Sequence, residues 1–287
     1  MTRPRTRTPE SPVHVIVQIA KSKQRAPKIP ESEEVEKIAK GVYRIFGKPE
    51  RHKHHFHDIP HIAFRRTKEI PSTRSKSLDD VLRRTYALVV YRYENPTAQQ
   101  KKRTQRLIRR SPCIRLRPGV LVFPHLKAKQ MSKVYQKRDK TKLFTAKEFA
   151  SKMEEFGAKV IRWGRLKISG PRSFGLLEQS LKNMIESEEK AIVDKFKQLK
   201  KEAKNSEVSI KKLKERYREL SGRYKLQKTS CEVIREVWKF DCEKQLRRVY
   251  NIMLQTRRAI SEQQSSMKRL TERETIEESS AVDHQSS

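Results

Sequence analysis

The sequence predicts an α+β protein: a small domain of alternating strands and helices in the middle, followed by a run of long helices. Three observations carry that expectation. Between residues 85 and 170, short β-branched and aromatic runs alternate with helical patterns that have capping residues at their starts. From residue 175 to 264 there is no proline, and apolar residues recur at three- and four-residue spacing. The first 84 residues are polar, punctuated by proline and basic, and they carry only short patterns.

Taken in order, residues 1–12 form a Pro/Arg/Thr tail that is expected to be disordered. Residues 13–19 (VHVIVQI) alternate in part and suggest a lone strand. Residues 33–46 (EEVEKIAKGVYRIF) read as a short helix. Val35, Ile38, Val42 and Ile45 share one stripe, acids lead it, and Gly47 and Pro49 would stop it. Residues 47–84 read as a polar linker. The whole of 1–84 is thus expected to be a basic, partly disordered extension.

From 85 to 170 the elements follow closely. Residues 86–93 (YALVVYRY) suit a largely buried strand. Asn95-Pro96 breaks it, and Thr97 can cap a helix running to about Arg110, ended by Ser111-Pro112. Residues 113–117 and 120–124 are two strands joined at Pro118-Gly119. A basic loop spans 125–143. Thr145 then caps a helix over 146–156, which Gly157 ends, and Lys159–Ile168 is a final strand. This β-α-β-β-α-β order is the ferredoxin-like arrangement, with four antiparallel strands and both helices on one face.

Residues 175–264 are expected to form two or three long antiparallel helices, packed together or serving as a homodimer seam. Their stripe runs through Leu177, Leu181, Ile192, Phe196 and Leu199, is interrupted by Glu188, and resumes through Leu213, Tyr217, Leu220, Ile234, Trp238 and Val249. Breaks are expected at Asn205-Ser206 and Thr229-Ser230, and residues 265–287 are read as a disordered tail.

The charge balance points to a class of partner. The chain has 287 residues, 68 Lys and Arg against 34 Asp and Glu, and a formal net charge of +34. Such a chain repels itself unless something negative compensates, and nucleic acid is the commonest such partner because each phosphate neutralised releases a counterion. No membrane partner is expected, since no stretch approaches the ~20 apolar residues that span a bilayer. The N-terminus has the basic start of a signal peptide but no sufficient apolar core, so a cytoplasmic location is expected. Cys113, Cys231 and Cys242 are odd in number and widely spaced, which indicates a reducing compartment and no disulfide framework.

The sharpest local signal is also electrostatic. Residues 95–138 contain no Asp or Glu and thirteen Lys or Arg. A solvated surface normally mixes signs. At 3.6 residues per turn, Lys102, Arg103, Arg106, Arg109 and Arg110 fall within a sector of roughly 120°, leaving Leu107 and Ile108 to face the sheet. Lys101, Lys102, Arg103, Arg106, Arg109, Arg110, Arg115, Arg117, Lys127, Lys129 and Lys133 are therefore the candidate nucleic-acid contacts. Arginine suits bidentate phosphate contact and lysine supplies point charge. The bland alternative is a solvated basic face.

A histidine cluster, RHKHHFHDIPH, offers His54, His57 and His61 as candidate metal ligands. Arg51 and Lys53 disfavour a cation there, Pro60 forbids a regular helix through His57 and His61, and a polar basic loop is the preferred reading. No cofactor is expected. There is no Gly-rich phosphate loop, GxSxG, HExxH or carboxylate pair at a strand end, and the eight glycines are few for a nucleotide cradle. The chain is therefore read as a non-enzyme.

Over YALVVYRYENPTAQQKKRTQRLIRRSPCIRLRPGVLVFP the chain resembles the N-terminal region of chromate-resistance regulators of the ChrB type. The match lies in the strand, the basic helix, and a G-V-x-x-x-P element carried by Gly119, Val120 and Pro124. With the helices that follow, the resemblance covers about residues 85–262. The core is also similar to the CRISPR-associated adaptor subunit and to the C-terminal part of PaaX-type repressors. The resemblance implies DNA binding in transcriptional regulation, and it does not extend to residues 1–84 or to chromate sensing. In the CRISPR-associated relatives an Asp at the end of the first strand is linked to metal-dependent cleavage. Here that stretch holds Glu94, beside an acid-free run, a poor metal site. Three functions are thus carried forward: a DNA-binding regulator first, then a metal-dependent nuclease, then a structural protein whose helices bind a partner. Duplex DNA is favoured over RNA because only Tyr91, Tyr93 and Phe123 could stack bases on a sheet face.

Overall fold

The computed structural model describes residues 14–19, 29, 32–46, 49–56, 59–68, 84–127, 129, 143–205, 208–238 and 240–283. The chain divides into two compact units, residues 1–184 with 229–241 and residues 185–228 with 242–287.

The first unit is built on an eight-stranded sheet. Its strands are β1 (His14–Gln18), β2 (Val35–Ala39), β3 (Val42–Ile45), β4 (His61–Arg66), β5 (Thr85–Arg92), β6 (Ile114–Arg117), β7 (Val120–His125) and β8 (Lys159–Ile168). They lie in the order β2-β3-β1-β4-β8-β5-β7-β6, and every pairing is antiparallel. The α+β class expected from the sequence therefore holds, with a sheet twice as wide as the four strands read from residues 85–170.

The widening comes from the N-terminal region, where the sequence reading needs correction. Residues 33–46 are a hairpin, β2 turning into β3, and not a helix. The stripe of Val35, Ile38, Val42 and Ile45 fits a helical period, but Gly41 sits at φ +68° in the turn. Three of those residues' neighbours also suit a strand: Arg44 Nε donates to Glu36 at 2.7 Å across the pair, and Tyr43 is buried. β-branched residues and a left-handed glycine favour the extended form once a neighbouring strand is present. That neighbour is β1, which is no lone strand but lies between β3 and β4. Residues 47–84 likewise hold more than a linker, since a short helical turn over 49–56 leads into β4.

Two helices cover one face of the sheet: α1 (Ala98–Arg109) and α2 (Ala146–Glu155). Each begins with a capping box. The Thr97 hydroxyl accepts from Gln100 N while the Gln100 side chain accepts from Thr97 N, and Thr145 and Glu148 repeat the arrangement. Between helices and sheet lie Ala87, Val89, Leu107, Cys113, Leu121, Phe123, Phe149 and Met153. Phe123 and Phe149 meet at 5.4 Å between ring centroids. At the other half of the sheet, Ile16, Ile29, Val35, Tyr43, Ile45 and Phe56 form a second cluster.

The opposite face is buried as well. Leu88 pairs with Val122 and Val90 with Val120 on the side turned away from Ala87 and Val89, and none of the four is more than 5 % exposed. Tyr86, on the same face, packs its ring against Phe64 and Trp238. The sheet also curls. Arg117 at the β6 edge reaches across to β1 and donates from Nη1 to the Gln18 carbonyl oxygen at 3.2 Å. A β-carbon on Gly41 would collide with the same guanidinium.

The remaining helices are α3 (Pro171–Lys204), α4 (Ile210–Trp238) and α5 (Glu243–Asp283). The first break falls near Asn205-Ser206 as expected. The second lies between Trp238 and Glu243 and not at Thr229-Ser230, which α4 includes, because two polar residues without Gly or Pro cost a helix little. The polar stretch from Ser265, expected to be disordered, is likewise helical to Asp283. In the second unit the apolar stripe is buried within the chain: Ile192, Phe196, Leu199, Leu213, Leu220, Val249 and Ile260 form one cluster. Glu188, the apparent interruption, accepts from Arg223 Nε at 2.8 Å.

Candidate nucleic-acid interface

The basic run found in the sequence resolves into a helix fixed on three sides. At its start the Thr97 box holds the first turn, and the Gln100 side chain donates to the Phe156 carbonyl at the end of α2, 2.8 Å away. In its middle the buried Thr104 hydroxyl meets the Tyr93 hydroxyl at 3.0 Å. At its end Phe144 N donates to the Arg110 carbonyl at 2.8 Å. The helix is thus clamped at both ends to the residues that flank α2, and between them to the end of β5.

What this leaves outward is charge. Lys101, Lys102, Arg103, Arg106, Arg109 and Arg110 are all exposed, while Thr104 and Leu107 are buried beneath them. Two of the six are held in place by aromatic faces. The Arg103 guanidinium lies 5.5 Å from the Phe156 ring centroid and that of Arg110 lies 5.1 Å from Phe144. Lys102, Arg106 and Arg109 form the outermost row. Among the described residues none of the six is in an ion pair with a carboxylate. The arrangement suits contact with a row of phosphates, because charge and orientation are set before any partner arrives.

The other candidates fare differently. Arg115 is exposed on the edge strand β6. It lies close enough to Tyr91 to draw that phenol down, though burial outweighs it and leaves Tyr91 above its ordinary value. Lys127 and Lys129 are exposed beyond the end of β7. Lys133 lies outside the described residues, as does most of the loop expected to add a second basic ridge. Arg117 is a correction. It is 8 % exposed and spends its guanidinium on Gln18 and the Gly41 turn, so it closes the sheet and presents nothing to a ligand. Burial lowers its pKa. The signal for this was weak in sequence, because Arg115 and Arg117 look alike until a β-bulge between them sets their sides apart.

The aromatic residues considered as base-stacking platforms are also placed. Phe123 is fully buried beneath α2, and Tyr91 packs edge-on against Phe149 and Tyr93. All three belong to the core between sheet and helices.

Of the candidate metal ligands, His57 and the side chain of His54 lie outside the described residues. His61 Nδ1 donates to the Ile59 carbonyl at 2.7 Å, and its ring packs against Phe56. His52 Nε2 meets Glu34 at 2.8 Å, tying the 49–56 turn to the start of β2. Among the described residues no group of three or more His, Cys, Asp or Glu could hold a metal ion. Glu94 is exposed and lies 2.5 Å from Lys159 Nζ, whose hydrogen bond and charge hold the carboxyl below its usual range. Among the described residues no helix is long and apolar enough to cross a membrane.

Comparison with known proteins finds no matching family model, no matching curated protein and no matching solved structure.

Proposed function

We propose that this is a non-enzymatic protein that binds duplex DNA by its phosphates through the outer row of α1, and that it serves in transcriptional regulation as its resemblance to ChrB-type proteins implies. The observation that carries the reading is the cationic face of α1, six exposed cations without a carboxylate partner among the described residues on a helix clamped at both ends. We further read residues 85–168 as a ferredoxin-like unit set within the larger sheet. The supporting observation is the neighbour order β8-β5-β7-β6, which in that numbering is 4-1-3-2.

Duplex is preferred over single strands for a structural reason. Ferredoxin-like sheets that read single-stranded RNA stack bases on aromatics of an open sheet face. Here one face lies under α1 and α2, and the strands β5 and β7 bury their residues on the other. A row of exposed cations on a helix fixed to its neighbours suits a phosphate backbone instead.

Equilibrium anisotropy of the full chain with random duplex DNA, single-stranded DNA and structured RNA across a salt series tests this. Duplex should bind most tightly with a steep salt dependence. Each lost phosphate contact flattens the slope by roughly 0.9, so Lys102→Gln, Arg106→Gln and Arg109→Gln together should flatten it by about three. Equal weak binding to all three nucleic acids, indifferent to these substitutions, would overturn the reading.

A further inference from the structure

A second cationic cluster lies outside the basic run, on β7 and β8. His125 ends β7 and pairs with Thr85 of β5, whose hydroxyl donates to the His125 carbonyl at 2.7 Å. Its ring crosses β5 and rests on β8, where a β-carbon at Gly164 would stand only 3.2 Å from His125 Cε1. A side chain at 164 would crowd the imidazole, which would have to give by a few tenths of an ångström. On either side of that glycine, β8 carries Arg162 and Arg165, both exposed. Arg162 pairs with Val89 and so shares the face that α1 and α2 cover. Arg165 is the one residue other than glycine with positive φ (56°) among the described residues, at an irregularity in the β5–β8 pairing.

The imidazole thus stands against Gly164 with an exposed arginine on either side of that glycine in the strand, and neither arginine is in an ion pair among the described residues. The charged groups that bear on His125 are Arg165 and Arg162, which with burial hold its imidazole below the ordinary value. A strand that sets an arginine in the left-handed region accepts backbone strain there. The cluster also lies at the same end of the sheet as the C-terminus of α1. Ile114, just after that helix, pairs with Val122, near His125, at the end where Thr85 begins β5.

We propose that Arg162, Arg165 and His125 form a phosphate-binding subsite, and that the phosphate is one of the nucleic-acid backbone held by α1. The proposal rests on the reading of α1 as a DNA-contacting helix. The duplex would then be gripped at two places at one end of the domain, with His125 as a third donor that spans from β7 to β8. Both arginines would contact phosphate oxygens by charge-assisted hydrogen bonds.

The test uses the full chain, with Arg162→Gln combined with Arg165→Asn. Asparagine tolerates the left-handed backbone, so the charge is removed without refolding the bulge. The His125→Gln variant provides a second, separate probe of the same subsite. The β8 double variant should flatten the salt slope for random duplex by about two, additively with the α1 triple variant. The His125 Cε1–H resonance should shift when duplex is added. Inorganic phosphate alone should shift it at higher concentration, which would show that the subsite recognises the phosphate group itself. An unchanged slope in the double variant, with unchanged duplex affinity in His125→Gln and an unmoved resonance at saturating duplex, would overturn the subsite. The α1 triple variant reports separately: if it flattens the slope while the β8 variants do not, only the subsite falls. If the reverse holds, the reading of α1 falls, and the cluster is a phosphate site that does not share its duplex with α1.

Discussion

At the scale of single residues, the same side-chain type serves opposite ends depending on what lies beside it. Arg106 sits above a buried Leu107 and points to solvent, whereas Arg117 is drawn inward to a carbonyl and a glycine. His125 shows the cost of crowding cations. Its folded value is depressed from 6.5, by burial first and then by Arg165 and Arg162. Between the depressed and the ordinary value the unfolded chain binds more protons than the folded one, so stability rises with pH there. The contribution of this histidine is full above 6.5 and is lost as the pH falls toward its folded value. Urea unfolding followed across that range should show stability declining on acidification. In Arg162→Gln with Arg165→Asn the histidine's value moves back up and the decline should be shallower. An identical pH dependence in variant and wild type would mean that the arginines do not act on the imidazole.

At the scale of elements, α1 depends on its cap. Its first turn has no acidic residue to offset the helix dipole, so the Thr97–Gln100 box carries that end alone. Thr97→Ala should lower stability by about 1 kcal/mol, read as a shift in urea midpoint, while leaving the salt slope of DNA binding unchanged. This cap was legible in sequence, as were Thr145, Pro118-Gly119 and the bounds of β8, because each is local chemistry that agrees with the tertiary fold. The β2–β3 hairpin was not. Val35, Ile38, Val42 and Ile45 satisfy a helical period, and only pairing with β1, far away in sequence, decides between the two forms. The candidate site divides in the same way. The α1 row could be read from helical periodicity, but the burial of Arg117 depends on Gln18, 99 residues away, and the meeting of His125 with Arg162 and Arg165 depends on a ring crossing a strand.

At the scale of the whole molecule, two compact units with separate apolar clusters predict unfolding that departs from a single cooperative step. Phe149 and Phe196 are each fully buried, one in each cluster. Phe149→Ala and Phe196→Ala should each cost about 3–5 kcal/mol, and in calorimetry they should displace different transitions. A common shift of one transition by both would show a single cooperative unit. The net charge of +34 acts at this scale too, adding long-range attraction to any polyanion, which on the proposed function the α1 row would then hold. The position of β8 has a consequence in time. It is the last strand of the sheet to be synthesised, and it alone joins β4 on one side to β5 on the other. Until residue 168 has left the ribosome, the four N-terminal strands and the three that follow are two unsealed sheets, each with a bare edge waiting for the same partner. The nascent chain is therefore exposed to mispairing from the completion of β4 until β8 emerges, and one late strand ends that exposure for both halves at once.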